Sequence, residues 1–317
     1  MIADITVVIP YFNEKKTIAY TLERVGEQTL KPKVAMFVNS SSTDDTFEYV
    51  EKWIEENQHR FETKFLNVFE NTDNPASSKN VGVRNATTEW IAFMDCGQNF
   101  EKYWLESQYN FALNNNLEVV SGVVYLIGEN WVDRCAVAQT YGYKRSRPCL
   151  PTTLVKKAVF EKTGLLLEGR RAGYDAAWPI KLKKLGIPRG INKEVTIQYI
   201  GFNFSSNLKH LFKKSILYSK PTVAIEGYPI PYLYLIFPLL MLLAFLVSVY
   251  VGVALILIYF LTRVFLLPLM KSRNSLFYKE HPFESVLGLG VVGLVIDLGK
   301  LVGIIEGIKF FYFSKKM

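Results

Sequence analysis

Between Ile230 and Met270 the chain runs for about forty residues with hardly a polar side chain; Ser248, Thr262 and Arg263, with Gly252 and three prolines, are the interruptions. One helix needs roughly 20 apolar residues to cross the hydrocarbon core of a bilayer. The run therefore reads as a tight hairpin of two spans, near 230–248 and 251–269. Lys209, Lys213, Lys214 and Lys220 precede it, and Lys271, Arg273 and Lys279 follow it. Positive flanks favour the cytoplasmic side, so both flanks, and the N-terminal half with them, are expected there, in an integral protein of the cell membrane. A third apolar stretch, 286–310, contains Asp297, Lys300 and Glu306. Asp297 and Lys300 are spaced to pair on one helix face, and Gly299, Gly303 and Gly307 make a small-residue face for close helix contact. A third span packed on the hairpin and an interfacial or re-entrant helix both fit this stretch.

The rest of the 317-residue chain is different in kind: residues 1–228 have the composition of a soluble α/β protein. The net charge of +8 suits an anionic membrane surface or phosphate-bearing substrates. Nucleic acid is not an expected partner, because no zinc-finger spacing, helix-turn-helix signature or RNA-binding aromatic motif is evident. Cys96, Cys135 and Cys149 form neither a CxxC pair nor an even framework, so they read as reduced thiols of a cytosolic domain. No charged n-region followed by an apolar h-region opens the chain, so no secretory signal is expected. Asn207–Tyr218 has an apolar face at Leu208, Leu211, Phe212 and Ile216, with Lys209, His210, Lys213 and Lys214 on other faces. That pattern predicts a helix lying in the headgroup layer, with His210 at its surface.

In the first half, strand-length apolar runs alternate with helical patterns. Strands are predicted at Ile5–Pro10, Val34–Val38, Lys64–Glu70, Trp90–Met94 and Glu118–Tyr125, and helices at Thr17–Gln28, Asp44–Glu56, Ser77–Ala86 and Lys102–Asn114. Ser42-Thr43-Asp44-Asp45 is good capping chemistry for the second helix. Such alternation argues for a mostly parallel sheet with helices on both faces, and ligands of such sheets bind beyond the carboxyl ends of the strands. No GxGxxG follows the first strand, which argues against a dinucleotide-binding dehydrogenase. Four segments fall where a site would form: Pro10–Glu14, Asn39–Thr46, Phe93–Gly97 and Arg170–Asp175.

These segments resemble the family 2 glycosyltransferases of the GT-A fold, in their membrane-associated branch. The strand–Pro–aromatic–Asn–Glu pattern appears in Ile9–Glu14, the Asp-Asp-Gly-Ser-Thr-Asp segment in Asn39–Asp44, and the Ala-Arg-Asn-x-Gly helix in Ser78-Lys79-Asn80-Val81-Gly82. Leu154–Gly164 resembles the segment before the acceptor loop, and the loop's Glu-Asp pair stands as Tyr174-Asp175. The resemblance covers residues 4–220 and implies a Rossmann-like GT-A domain over 1–204; the helix pattern and apolar runs add an interfacial helix and linker over 205–228 and a membrane region over 229–317.

It also implies roles. Pro10, Tyr11, Asn13, Glu14, Asn39, Ser41, Lys79 and Asp95 would hold the nucleotide-sugar donor, a UDP-sugar in preference. Asp95 matches the first aspartate of the metal motif and would hold Mg2+ or Mn2+, although Gly97 stands where the second carboxylate belongs. Asp175 would be the base of an inverting transfer. Tyr174, Arg170 and Arg171 would contact an acceptor or a phosphate. The acceptor is expected to be lipid-linked, as the apolar run and the basic helix suggest. The absence of Gln-x-x-Arg-Trp argues against a processive synthase. Departures at Gly97 and Tyr174 leave an alternative reading, a non-catalytic nucleotide-sugar or lipid-binding membrane subunit. In a further alternative the membrane half, with Asp297, Lys300 and Glu306, is the functional part.

Overall fold

A computed structural model describes residues 2–71, 74–169, 173–199, 205–226, 228 and 230–313. The chain divides into two compact units, residues 1–125 with 146–200 and residues 126–145 with 201–317.

In the first unit the elements are β1 (Ile2–Tyr11), α1 (Ile18–Gly26), β2 (Lys31–Asn39), α2 (Thr46–Asn57), β3 (Lys64–Phe69), α3 (Pro75–Asn85), β4 (Trp90–Phe93), the short β5 (Gln98–Asn99), α4 (Trp104–Asn114) and β6 (Val119–Tyr125). After the excursion into the second unit come β7 (Arg147–Lys156), α6 (Val159–Thr163), α7 (Tyr174–Lys184) and β8 (Arg189–Tyr199). The sheet order is β3-β2-β1-β4-β7-β6-β8-β5. The expected parallel pattern holds from β3 to β4; β7 is antiparallel to both β4 and β6. The sheet is therefore mixed. β1 is buried on both faces, as a central parallel strand must be. Ile5, Val7 and Ile9 pack with Ile18, Leu22 and Val25 of α1. Val8 packs on the other face with Ala76, Val81 and Val83 of α3, and Trp178 of α7 joins that core.

Gly82 lets α3 approach β1. A Cβ there would stand 2.2 Å from Val8 Cγ1, and neither the helix nor the central strand can yield without moving the core. Gly82→Ala is expected to destabilise this unit by about 1–3 kcal/mol, the usual range for overpacking. Chemical denaturation would check this; an unchanged midpoint would show that the helix shifts freely.

The second unit contains α5 (Trp131–Thr140), α8 (Leu208–Ser219), α9 (Ile230–Val247), α10 (Val249–Leu261), α11 (Leu267–Ser272), α12 (Leu276–Glu280) and α13 (Leu289–Ile308). π-helical turns at Thr262–Leu266 and Glu284–Gly288 extend the long helices. Ser248 breaks α9 from α10 with an extended backbone, and its side chain caps Tyr250 N–H at 3.2 Å. Phe245 lies against Gly252, and the Phe237 ring is 5.5 Å from that of Tyr259, so the two helices form the antiparallel hairpin read from sequence. Val249–Ser272 and Glu284–Phe313 are long and apolar enough to cross a membrane. α9, with 18 residues, is the shorter arm, about 27 Å at 1.5 Å per residue.

The glycine face of α13 packs where sequence did not place it. A Cβ at Gly299 would meet Ser215, one at Gly303 would meet Ser219 and one at Gly307 would meet the Lys220 carbonyl. α8 and α13 thus run side by side and parallel, serine against glycine. Leu211, Ser215 and Ser219 are the buried face of α8, while Phe212 and Ile216 are half-buried. His210 is exposed, as expected.

Asp297 also has a different partner from the one expected. Arg263 Nε donates to Asp297 Oδ2 at 2.6 Å and its Nη2 closes a second, short bond to Oδ1. Tyr259 donates to the same carboxylate at 2.8 Å. Gln139 of α5 completes the cluster: its oxygen accepts from Arg263 Nη1 at 2.8 Å, and its amide donates to the Arg263 and Leu289 carbonyls beside the π-helical turns. Lys300 instead donates to Tyr234 Oη at 3.1 Å.

Candidate functional site

The ends of β1, β2 and β4 coincide. Tyr11 pairs with Asn39 in the parallel ladder, and Met94 N–H donates to Val8 carbonyl at 3.1 Å, so the turn that follows opens at the same level. Tyr11 itself points into the core, with its hydroxyl on Asn67 Oδ1 at 2.7 Å. The exposed ring at this strand end is that of Phe12, 44% accessible, which the sequence reading passed over. Asn13 takes a left-handed conformation (φ 56°) and clamps the β1 loop to the β2 loop: Thr43 N–H donates to its Oδ1 at 2.8 Å, its Nδ2 donates to Thr43 Oγ1 at 3.1 Å, and its N–H donates to Ser42 Oγ at 3.0 Å.

Asn39 is 1% exposed and its Oδ1 accepts from Ser42 N–H at 3.0 Å. The side chain holds the loop from beneath, which commits one lone pair of the oxygen expected to face a base. Ser41, also left-handed (φ 59°), donates to the Glu70 carbonyl at 3.2 Å. Asp44, just before the N-cap Asp45 of α2, accepts from Thr46 N–H at 3.1 Å, while Asp45 pairs with Lys15 at 2.5 Å.

Ser78, Lys79 and Asn80 on α3 each tie down a different part of the site. Ser78 Oγ is 2.6 Å from Ser40 Oγ on the β2 loop. Asn80 donates to the Leu166 carbonyl at 2.8 Å and to Glu168 at 2.7 Å, and accepts from Leu166 N–H at 3.0 Å, pinning the stem of the loop before α7. Lys79, fully buried, places its ammonium 2.7 Å from Asp95 Oδ1. Neither Asn80 nor Gln98 stands out in the sequence as a site residue. Asn80 lies in a quoted motif, but its partner is 86 residues away. Gln98 Oε1 accepts from Asp95 N–H at 2.9 Å, and its Nε2 has no partner among the described residues.

The Asp95 turn explains the missing second carboxylate. Gly97 sits at φ +75° and donates its N–H to Thr21 Oγ1 at 3.1 Å. A side chain there would be strained in the left-handed region. Among the described residues no group of three His, Cys, Asp or Glu side chains could hold a metal. Asp95, with its Oδ1 beside the Lys79 ammonium, is the carboxylate at this turn that would hold a divalent cation together with a donor diphosphate.

Burial pushes the Glu14 carboxyl above its ordinary range; Thr17 at 2.5 Å opposes the shift, while Asp95 and Asp44 add to it. A carboxyl whose folded value is raised contributes stability at low pH that is lost as pH rises from its unfolded value, 4.5, through the folded one. Glu14→Gln is therefore expected to flatten the fall in stability over that window. Urea midpoints at acid and neutral pH would check it; an unchanged slope would refute it.

Asp175 is exposed in the first turn of α7, after Gly173 (φ 90°). Burial, then the negative charges of Asp95 and Asp175, raise the thiol of Cys149, half-buried near the start of β7, while Lys79 and Arg147 oppose them. Burial also raises the Cys96 thiol, to about 12; both cysteines are free and unreactive in character. Tyr174 is half-buried against the core. Arg170 and Arg171 lie outside the described residues.

Residues 6–156 match the model of "Glycosyl transferase family 2". An "uncharacterized glycosyltransferase" of Rickettsia bellii is 24% identical over 202 residues, 61% of this chain and 28% of its own length. The cholesterol galactosyltransferase of Borreliella burgdorferi is 27% identical over 123 residues, 38% of this chain and 33% of its own. The chain thus spans about a third or less of these relatives. Among solved structures, a mannosyltransferase from Pyrobaculum calidifontis in complex with GDP-Man and Mn2+ superposes with a TM-score of 0.60 at 16% identity, covering 95% of this chain and 88% of that one. That likeness is one of fold. With the strand order, the α3 motif and the matched residues together, residues 6–156 are a glycosyltransferase family 2 domain on a GT-A fold.

Proposed function

We propose that the chain is an inverting glycosyltransferase, moving one sugar from a nucleoside diphosphate donor, a UDP-sugar in preference, to a lipid-linked acceptor at the cytoplasmic face of a membrane. The observation that carries this reading is the family 2 match over residues 6–156, within which the clamped loops after β1 and β2 and the Lys79–Asp95 pair stand at one end of the sheet. A transferase needs a donor-side and an acceptor-side group around one reacting carbon, and Asp95 and Asp175 are the residues we assign to these two roles.

The donor's base lies against the Pro10–Tyr11 backbone beside Glu14, on the loop that Asn13, Asn39 and Ser41 shape. Asp95, held by Lys79, accepts from ribose or sugar hydroxyls. Asp175 takes the proton of the acceptor hydroxyl as its oxygen attacks the anomeric carbon. The bond from that carbon to the diphosphate breaks, its electron pair leaves with the nucleoside diphosphate, and attack from the opposite side inverts the centre. Acceptor contact is assigned to Tyr174, Arg170 and Arg171 by their place in the family pattern. The two long apolar helices and their basic flanks support a membrane-bound enzyme with this domain in the cytoplasm.

The test is a thermal-shift screen of UDP-, GDP- and dTDP-sugars, followed by transfer into a membrane lipid extract and assignment of the product anomer. A retained configuration would overturn inversion. Donor binding with no transfer from any donor would leave a non-catalytic binding subunit. Because Asp95 is the one carboxylate at this turn and already pairs with Lys79, removing divalent ions with EDTA is expected to weaken UDP-sugar binding by less than about tenfold, a change of about 1.4 kcal/mol. Calorimetry with and without manganese would read it; a larger loss would show that the diphosphate recruits a cation to Asp95.

A further inference from the structure

The second unit contains a cavity of about 200 Å³, lined by helices α8, α9 and α13, the turn after α8 and the end of α5. An engineered cavity of about 150 Å³ admits benzene, so this one has room for a group of that size. Its wall includes hydroxyls of Ser215, Ser219, Thr222 and Tyr234, the Lys300 ammonium and the aliphatic side of Ile304; among the described residues no Asp or Glu lines it. The ammonium lies 3.1 Å from Tyr234 Oη and 5.3 Å from the centre of that ring.

The charges nearby do not cancel. Asp297 is taken by Arg263 in a bidentate pair, and Glu306 sits 3.8 Å from Lys220. Arg263 and Lys300 therefore face one carboxylate, and among the described residues Lys300 has no ion pair. A cation held in an apolar unit without an ion pair of its own is costly, and in such a setting it marks a functional position by default. The complement of one ammonium, several hydroxyls and an aliphatic wall is a small, multiply accepting anion attached to an apolar body.

From this geometry we infer that the cavity binds a phosphate monoester, with Lys300 and Tyr234 as the polar contacts. The site is independent of the sugar-transfer reading, since it uses none of the residues assigned to that reaction. The phosphate belongs to a lipid headgroup or to a free anion, and the probes separate the two.

The full chain in neutral detergent is titrated with dioctanoyl phosphatidic acid, with dioctanoylglycerol, which lacks the phosphate, and with inorganic phosphate, by microscale thermophoresis. Saturable binding of phosphatidic acid and none of dioctanoylglycerol is expected. Lys300→Met is expected to weaken it by about tenfold or more, the usual loss of one charge-assisted hydrogen bond. Lys300→Arg keeps the charge and should bind within about threefold of wild type. Tyr234→Phe, a smaller change, provides the same test if Lys300→Met does not fold. Inorganic phosphate that competes at equal concentration assigns the site to a free anion; failure to compete assigns it to a lipid. No saturable binding of either phosphate, equal binding of dioctanoylglycerol, or unchanged affinity in both Lys300→Met and Tyr234→Phe would overturn the inference.

Discussion

Asp175→Asn is expected to lower turnover by about 10²–10⁴-fold, the usual worth of a positioned general base, while leaving UDP-sugar affinity unchanged. The amide keeps the shape and polarity of the side chain but cannot take the acceptor's proton. Asp175 is exposed and is not assigned a cap bond, since α7 starts from Gly173 without a side-chain cap. The change should therefore cost little stability, and a loss of activity would be chemical rather than structural. The measurement is kcat in a detergent-solubilised transfer assay beside a donor-binding titration. Wild-type turnover in the variant would remove Asp175 from the mechanism. Loss of donor binding in parallel with turnover would place it at the donor instead.

Arg263→Met is expected to destabilise the second unit by about 3–5 kcal/mol, the cost of leaving one partner of a buried ion pair uncompensated. The arginine is 5% exposed and is bound at once to Asp297, Gln139 and the Gly293 carbonyl. The double replacement Arg263→Met with Asp297→Leu removes both charges and should recover most of that loss, because well-packed apolar residues often match a buried pair. Thermal unfolding of the four proteins gives the coupling directly. If the double variant were as unstable as the single one, the guanidinium's bonds to Gln139 and the backbone would outweigh its pairing with Asp297.

How much of this was legible in the sequence depended on the range of each interaction. β1, β2, β3 and β4 with their intervening helices were readable because period and punctuation are local; their ends fall within a few residues of the predicted ones. β7 and β8 escaped the strand patterns; the sheet is mostly parallel as expected, in the ladders β3–β2, β2–β1, β1–β4 and β6–β8, and departs from that where β7 enters antiparallel between β4 and β6. At the site, Lys79 and Asp95 were both named, but not their 2.7 Å pairing. Gly97 read as a missing ligand, whereas the left-handed turn gives the reason for the residue. In the apolar half, spacing proposed Asp297 with Lys300. The better-placed donor was Arg263, on a separate helix, and helical periodicity within one segment has no access to such a partner.

The excursion at residues 126–145 has a practical consequence. α5 buries Val132, Cys135, Ala136 and Ala138 against Leu211, Leu289, Val292 and Ile296. Its Arg134 is bound to Glu284 and its Gln139 to Arg263. Cutting the chain before residue 205 to obtain a water-soluble enzyme would strip this helix of every one of those neighbours and leave its apolar side bare to solvent, an aggregation liability. A soluble form would need α5 replaced by a short polar turn between β6 and β7 as well as the truncation. Two edits, rather than one, separate the sugar-nucleotide domain from its apolar partner.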